Sequence, residues 1–254
     1  MVRSLAKAGE AATNPEKEKL SMPRRLSARL SAVAAMVPQG AYLADIGSDH
    51  AWLPIFLVES GKIEWAMAID NKVGPFMRMK TNVAESRAAN HIVCSRSDGI
   101  SQLSPSVDTL TLCGMGGILS CEILEAHPEK LGGVRTIIMD PHRDLIAVRK
   151  RVAELGFHIV QEKMIFEDKI YYTLIRFDRG APKTPYTPNE LAFGPLLMKS
   201  NDPIYVDWLL AQKKKVSKLL NTPNLPKEKR DGYLLTYRAI SGQLGGKVIT
   251  TEDN

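Results

Sequence analysis

The sequence predicts an α/β protein, a Rossmann-like doubly wound sheet followed by a C-terminal helical hairpin. Three observations predict it. Short apolar runs alternate with helical stretches from residue 26 to residue 156, and most of those runs end in Asp or Gly. Beyond Gly180 the alternation gives way to two long helical patterns. Strands that alternate with helices form a parallel sheet, and ligands bind such a sheet outside the carboxyl ends of its strands.

The elements read in order as follows. Leu26 to Val37 has apolar residues at helical spacing and is ended by Pro38-Gln39-Gly40. Ala41 to Ile46 is a short buried strand with Gly47 marking the turn out of it, and Ala51 to Ser60 is a helix closed by Gly61. Trp65 to Asp70 is a second strand, Pro75 to Ala89 a helix and His91 to Ser95 a third strand that leads to the turn at Asp98-Gly99. Val107 to Cys113 is a strand followed by the glycine-rich turn Gly114-Met115-Gly116-Gly117, and Ile118 to Ala126 is a helix. Thr136 to Met139 is a strand ending at Asp140-Pro141-His142, and Arg143 to Leu155 is a helix stopped by Gly156. Phe157 to Phe166 and Tyr171 to Phe177 read as a closing antiparallel pair.

This gives a tail over 1–22, a Rossmann-like domain over 23–180, a proline-containing linker over 181–200 and a hairpin over 201–254. The hairpin helices, Pro203 to Leu220 and Lys227 to Leu244, are separated by Asn221-Thr222-Pro223-Asn224. The first twenty residues lack the apolar centre of a secretory signal, and no apolar run reaches the roughly 18–20 residues that span a bilayer. Cys94, Cys113 and Cys121 have no metal-like spacing. The expectation is a cytoplasmic protein with reduced thiols, no membrane, no metal and no protein partner implied.

Of the net charge of +6, residues 1–30 and 199–254 each carry +4, while 31–198 carries −2. A near-neutral body with basic ends suits chemistry in the body and a polyanion gripped at the edges; two solvated lysine-rich ends fit the charge equally.

Four successive strand ends carry residues suited to a nucleoside. Asp45-Ile46-Gly47 leads into Ser48, Asp49 and His50, without the further glycines that hold a pyrophosphate. A carboxylate close to where a phosphate would sit points to a cationic ligand such as S-adenosylmethionine; a structural turn explains a lone Asp-x-Gly about as well. Asp70, with Asn71 after it, is placed to accept hydrogen bonds from ribose hydroxyls. Asp98 and Gly99 can meet an adenine amino group, and Gly114, Met115 and Gly116 leave open backbone beside a reacting methyl. One ligand accounts for the four ends together better than four unrelated turns.

Leu26-Ser27-x-Arg29-Leu30, the stretch Ala44-Asp45-Ile46-Gly47-Ser48-Asp49-His50-Ala51-Trp52-Leu53-Pro54 and Gly114-Met115-Gly116-Gly117 resemble the bacterial tRNA (adenine-22-N1)-methyltransferase family. Gly156-Phe157, Lys169-Ile170-Tyr171-Tyr172 and Phe193-Gly194-Pro195 extend the resemblance, which covers Leu26 to the end. It implies a Rossmann-like catalytic domain, S-adenosylmethionine as cofactor, tRNA as partner and methylation of adenine N1 in the D-arm region, with a C-terminal hairpin that helps hold the tRNA. Two departures from the family pattern stand out. Asp140-Pro141-His142 replaces a triplet that is often Gln-Pro-Asn-like, and Asp70-Asn71 stands where the acidic residue is often glutamate.

Adenine N1 carries a lone pair and no proton, so its methylation needs alignment more than a general base. Asp49 is the leading candidate to stabilise charge arriving on the purine and to accept from its amino group, with a helix N-cap as its alternative role. His142 is a second candidate; for it and His50 structural roles are equally open. N1 lies on the Watson–Crick edge, so the base must leave its pair, and Pro141 and His142 are placed to line the surface that receives it. Arg24, Arg25 and Arg29, with Lys213, Lys214, Lys215 and Lys218 of the hairpin, are the expected phosphate contacts. Two other readings remain open: methylation of another RNA base or a small molecule, and a non-catalytic RNA-binding protein on a degenerate methyltransferase fold.

Overall fold

The computed structural model describes residues 25–245, so the expected tail over 1–22, Arg24 and the last nine residues lie outside the described residues. The elements run α1 (Ala28–Met36), β1 (Tyr42–Ile46), α2 (Trp52–Glu59), β2 (Trp65–Ile69), α3 (Val73–Ala84), β3 (Ile92–Ser95), β4 (Thr109–Met115) and α4 (Gly117–Glu125). They continue with a 3-10 turn (Pro128–Gly133), β5 (Thr136–Pro141), α5 (Leu145–Glu154), β6 (Phe157–Glu167), β7 (Ile170–Arg179) and α6 (Pro188–Phe193). A second 3-10 turn (Leu197–Lys199), α7 (Pro203–Leu220) and α8 (Lys227–Gly245) complete the described chain.

One seven-stranded sheet has the order β3-β2-β1-β4-β5-β7-β6. The first five strands are parallel, and β7 runs antiparallel to both β5 and β6. The strand order reverses between β1 and β4, the topological switch point at which such sheets bind ligands. β1 is apolar because the sheet is covered on both faces, Leu43 and Ala44 being fully buried. On one face Val33, Met36, Leu53, Leu57 and Met79 from the first three helices pack together; on the other Cys121, Leu124, Val148 and Val152 pack against Leu110, Leu112 and Ile137.

Boundaries depart from the sequence reading where side chains govern the turns. β4 runs on through Gly114 and Met115, expected in a turn, because a register shift against β5 absorbs the positive φ of Gly114. β5 likewise takes in Asp140 and Pro141. α3 begins at Val73, which leaves Pro75 in a first turn where its missing N–H is harmless.

The linker expected over 181–200 is corrected for its second half. Thr187 and Glu190 form a reciprocal capping box around Pro188, so α6 starts there. Its Phe193, with Leu197 beyond, is buried beside Tyr205, Leu209 and Ile240 of the hairpin and Met164 of β6. The segment is a packed joint. Tyr171 of β7 donates to Asp207 of α7, tying the hairpin to the sheet a second time. Among the described residues no helix is long and apolar enough to cross a membrane.

Candidate active site

The carboxyl ends of β1 and β4 and the start of α1 enclose a cleft of about 320 Å³. Arg29, Leu30, Asp45, Gly47, Ser48, Asp49, His50, Trp52, Leu53, Cys113 and Gly114 line it. Asp45 stands at its floor, buried, and accepts from Ser48 Oγ at 2.6 Å and Thr111 Oγ1 at 2.7 Å. Burial pushes the Asp45 carboxyl up to about 6, and the two hydroxyls hold it below what burial alone would give. A buried carboxylate without a protein cation among its hydrogen-bond partners suits a cationic ligand.

Gly47 turns the chain with φ of +73°, and its backbone N–H and that of Ser48 both donate to Ile69 O of β2, at 2.9 and 3.0 Å. A Cβ at Gly47 would sit 2.7 Å from Met115 Cε and push that methyl aside, at a φ that itself favours glycine. Gly114, at φ of +74°, lies on the opposite lip.

Asp49 occupies the mouth. Its carboxylate, 45% exposed, accepts from Arg78 Nη2 at 2.6 Å and Nε at 3.1 Å. The alternative role as helix cap does not apply: the N-cap position of α2 is Ala51, in left-handed conformation and without a side-chain hydrogen bond. His50 stacks on Trp52 with ring centroids 5.3 Å apart and planes within 3°, and Asn82 Nδ2 donates to its backbone carbonyl at 3.0 Å.

Asp70, Asn71, Asp98 and Gly99 lie at neighbouring strand ends beyond the lining of this cleft. Asn71 Nδ2 donates to Asp98 Oδ1 at 3.2 Å, joining the ends of β2 and β3, and Asp70 Oδ1 accepts from the Lys72 N–H at 2.9 Å. Gly99 has φ of +49°, and a Cβ on it would meet Ile123 Cγ2 at 2.7 Å. Gly116 faces the Arg143 guanidinium.

On the other wall, Arg29 does not point outward as a phosphate contact. Its guanidinium pairs with the fully buried carboxylate of Asp140 and lies 4.9 Å from the centre of the Tyr172 ring. Burial raises the Asp140 carboxyl and the Arg29 charge counteracts it. Pro141 is buried, while His142 is exposed and meets Tyr172 edge-on at 5.7 Å. Arg25 is exposed. In the hairpin Lys214, Lys215 and Lys218 are exposed, whereas Lys213 lies over the Tyr237 ring at 5.3 Å.

Trp52, Cys113, Thr111, Arg78 and Tyr172 are absent from the sequence-based site. Trp52 and Tyr172 stand inside the motifs that carried the resemblance and were available there. Thr111 and Arg78 have no local signal, since only sheet register and helix packing bring them to Asp45 and Asp49.

The residues fit S-adenosylmethionine. Asp45 offers buried negative charge, Gly47 and Gly114 leave backbone uncovered, and the neighbouring strand ends offer Asp70, Asn71 and Asp98 as polar partners. Residues 26–175 match the methyltransferase domain family. The tRNA (adenine(22)-N(1))-methyltransferase of Bacillus subtilis (strain 168) is 33% identical over 187 residues, which cover 72% of this chain and 79% of the relative. A solved putative tRNA (m1A22) methyltransferase from Streptococcus pneumoniae superposes with TM-score 0.83 at 32% identity, covering 87% of this chain and all of the other. The same protein in complex with S-adenosyl-L-methionine gives TM-score 0.80 over the same shares.

Proposed function

Because the chain belongs to the tRNA (adenine(22)-N(1))-methyltransferase family, we propose that its cleft transfers a methyl group to N1 of an adenine in the D-arm region of tRNA. S-adenosylmethionine supplies the electrophilic methyl. The single observation that carries the residue assignment is the buried Asp45 carboxylate at the Gly47 turn, open to the cleft shared with Gly114 and Arg29.

The chain's own residues then divide the work. Asp45 and Ser48 hold the cationic end of the cofactor, and Asp70, Asn71 and Asp98 take its nucleoside end. Gly114, Met115 and Gly116 give the methyl an unobstructed approach. Adenine N1 has no proton to lose, so the protein's contribution is alignment together with stabilisation of the charge that passes to the purine. Asp49, half-exposed at the mouth and shared with Arg78, supplies negative charge there. His142, exposed with Tyr172 edge-on beside it, bounds the side on which an unpaired base enters, and the buried Pro141 supports it from the end of β5. The exposed Lys214, Lys215 and Lys218 with Arg24 and Arg25 contact phosphates. A tRNA substrate supports a cytoplasmic location.

Incubating the full chain with unmodified tRNA transcripts and methyl-labelled S-adenosylmethionine, then mapping the label by mass spectrometry, tests this reading. Label on N1 of a D-arm adenine is the expected result. Label on another base, or none, defeats it.

A further inference from the structure

The wall of the cleft opposite Asp49 is built around one cation held by two anions. The Arg29 side chain is 19% exposed and lines the cleft beside Gly114. Its guanidinium pairs with Asp140, has Glu167 Oε2 at 4.0 Å from Nε, and lies over Tyr172. Glu167 Oε1 also accepts from the Ala28 N–H at 2.7 Å, so the strand that supplies the second anion fixes the helix that supplies the cation. Asp140 is completely buried: Arg29 holds its Oδ2, the Gly114 backbone N–H stabilises its carboxylate, and among the described residues Oδ1 makes no hydrogen bond of normal geometry. A buried carboxylate normally fills its acceptor positions. Here the ion pair with Arg29 and the Gly114 N–H are what balance the buried charge.

We infer that Arg29 is a charge-compensated shelf for the target purine, with Asp140 and Glu167 as positioning residues that let it face a base which becomes cationic. The inference rests on the proposed function and extends it to groups outside the cofactor side. A planar guanidinium backed by Tyr172 offers a flat surface on which a base can stack. Methylation at N1 leaves the purine positively charged, and an uncompensated guanidinium in contact with it would oppose the transfer. Two carboxylates paired with the edge nitrogens of Arg29 keep the stacking surface and remove that opposition. The bond changes are those of the methyl transfer itself: N1 gains the methyl carbon, the sulfur–carbon bond breaks, and no proton moves through Arg29.

Steady-state methylation of tRNA transcripts by the full chain tests the idea. Asp140→Asn should lower kcat at least ten-fold while the Kd of S-adenosylmethionine, by calorimetry, stays within two-fold. The double variant Arg29→Gln with Asp140→Asn should recover at least three-fold of that loss, because no unbalanced cation remains; a purely structural role for Asp140 predicts no recovery. Glu167→Gln keeps an acceptor for the Ala28 N–H and should lower kcat about three-fold. It decides the matter if Asp140→Asn does not fold. An unchanged kcat in Glu167→Gln, or a double variant no faster than Asp140→Asn, overturns the inference while leaving the proposed function intact. A wild-type chain that methylates no tRNA adenine overturns both.

Discussion

Gly47 lies against the Met115 side chain: a Cβ on Gly47 would stand 2.7 Å from Met115 Cε, and the residue already has φ of +73°. Met115 can move its methyl aside, so the backbone is the stricter constraint. A non-glycine residue in this left-handed region costs about 1–2 kcal/mol. Gly47→Ala should therefore lower the unfolding free energy by about 1–2 kcal/mol in chemical denaturation. On the proposed reading, in which Met115 borders the reacting methyl, its displacement should lower S-adenosylmethionine affinity by more than ten-fold in calorimetry.

Asp45 makes stability depend on pH with a definite sign. Its folded pKa of about 6 lies above the ordinary 3.8, so between about pH 4 and pH 6 the native state holds a proton that the unfolded chain has released. The ligand-free wild-type chain is thus favoured by this group below about pH 4, loses stability as pH rises to about 6, and is level above that. Asp45→Asn should remove the burden, raising stability at pH 7.5 by about 2–3 kcal/mol and by nothing at pH 4. The same variant should bind S-adenosylmethionine poorly, because the buried charge is gone. Thermal unfolding at the two pH values, with and without S-adenosylmethionine, checks both effects. A variant less stable than wild type at pH 7.5 would show that the bonds from Ser48 and Thr111 outweigh desolvation.

The fold was legible because hydrophobic period and punctuation agreed. Gly47, Gly61 and Gly156 closed elements where the structure closes them, and all three adopt positive φ. Gly114 also has positive φ yet stays inside β4, because the neighbouring strand accommodates a register shift that no local pattern encodes. Asp45, Gly47, Ser48, Asp49, His50 and Gly114 line one cleft because they follow strand ends, and the switch point gathers strand ends. Arg29 reads as a phosphate contact in the sequence because its partner, Asp140, is 111 residues away and nothing near either residue announces the pair. The joint at residues 188–199 reads as linker because Pro188 looks like a break, although proline is also favoured at the first position of a capped helix.

Glu162 is the keystone of that joint. Fully buried, it pairs with Arg149 Nε at 2.9 Å and accepts from the Leu196 and Leu197 N–H groups, while Arg149 Nη1 donates to Leu191 O at 2.8 Å. Removing one charge leaves the other buried and uncompensated, which costs about 3–5 kcal/mol. Glu162→Gln should therefore lower the thermal midpoint by roughly 10 °C. Gly194→Ala should do similar damage by a different route. Its Cβ would lie 2.6 Å from both Glu162 oxygens, which are too well held to retreat, at a φ of +89°. Calorimetric unfolding of the two variants checks this. A Gly194→Ala midpoint equal to wild type would mean that the joint is softer than its hydrogen bonds indicate.

The hairpin lysines divide by environment, and the division is testable through salt. Lys214, Lys215 and Lys218 are exposed, whereas Lys213 is held over Tyr237 within the hairpin. Each lysine that neutralises a phosphate adds about 0.7–0.9 to the slope of log affinity against log salt, since bound counterions are released. Replacing Lys214, Lys215 and Lys218 by Gln should lower the tRNA slope by about 2–3 and weaken binding by at least ten-fold near physiological salt. Lys213→Gln should change the slope by less than one and instead loosen the α7–α8 contact by about 0.5–1 kcal/mol, the size of a partly exposed cation–π contact. Titrating fluorescent tRNA at several salt concentrations separates the two effects. Equal slopes for the triple variant and wild type would remove the hairpin lysines from the tRNA interface. An unaltered slope together with lost methylation would leave the hairpin a positioning role through the joint at Glu162.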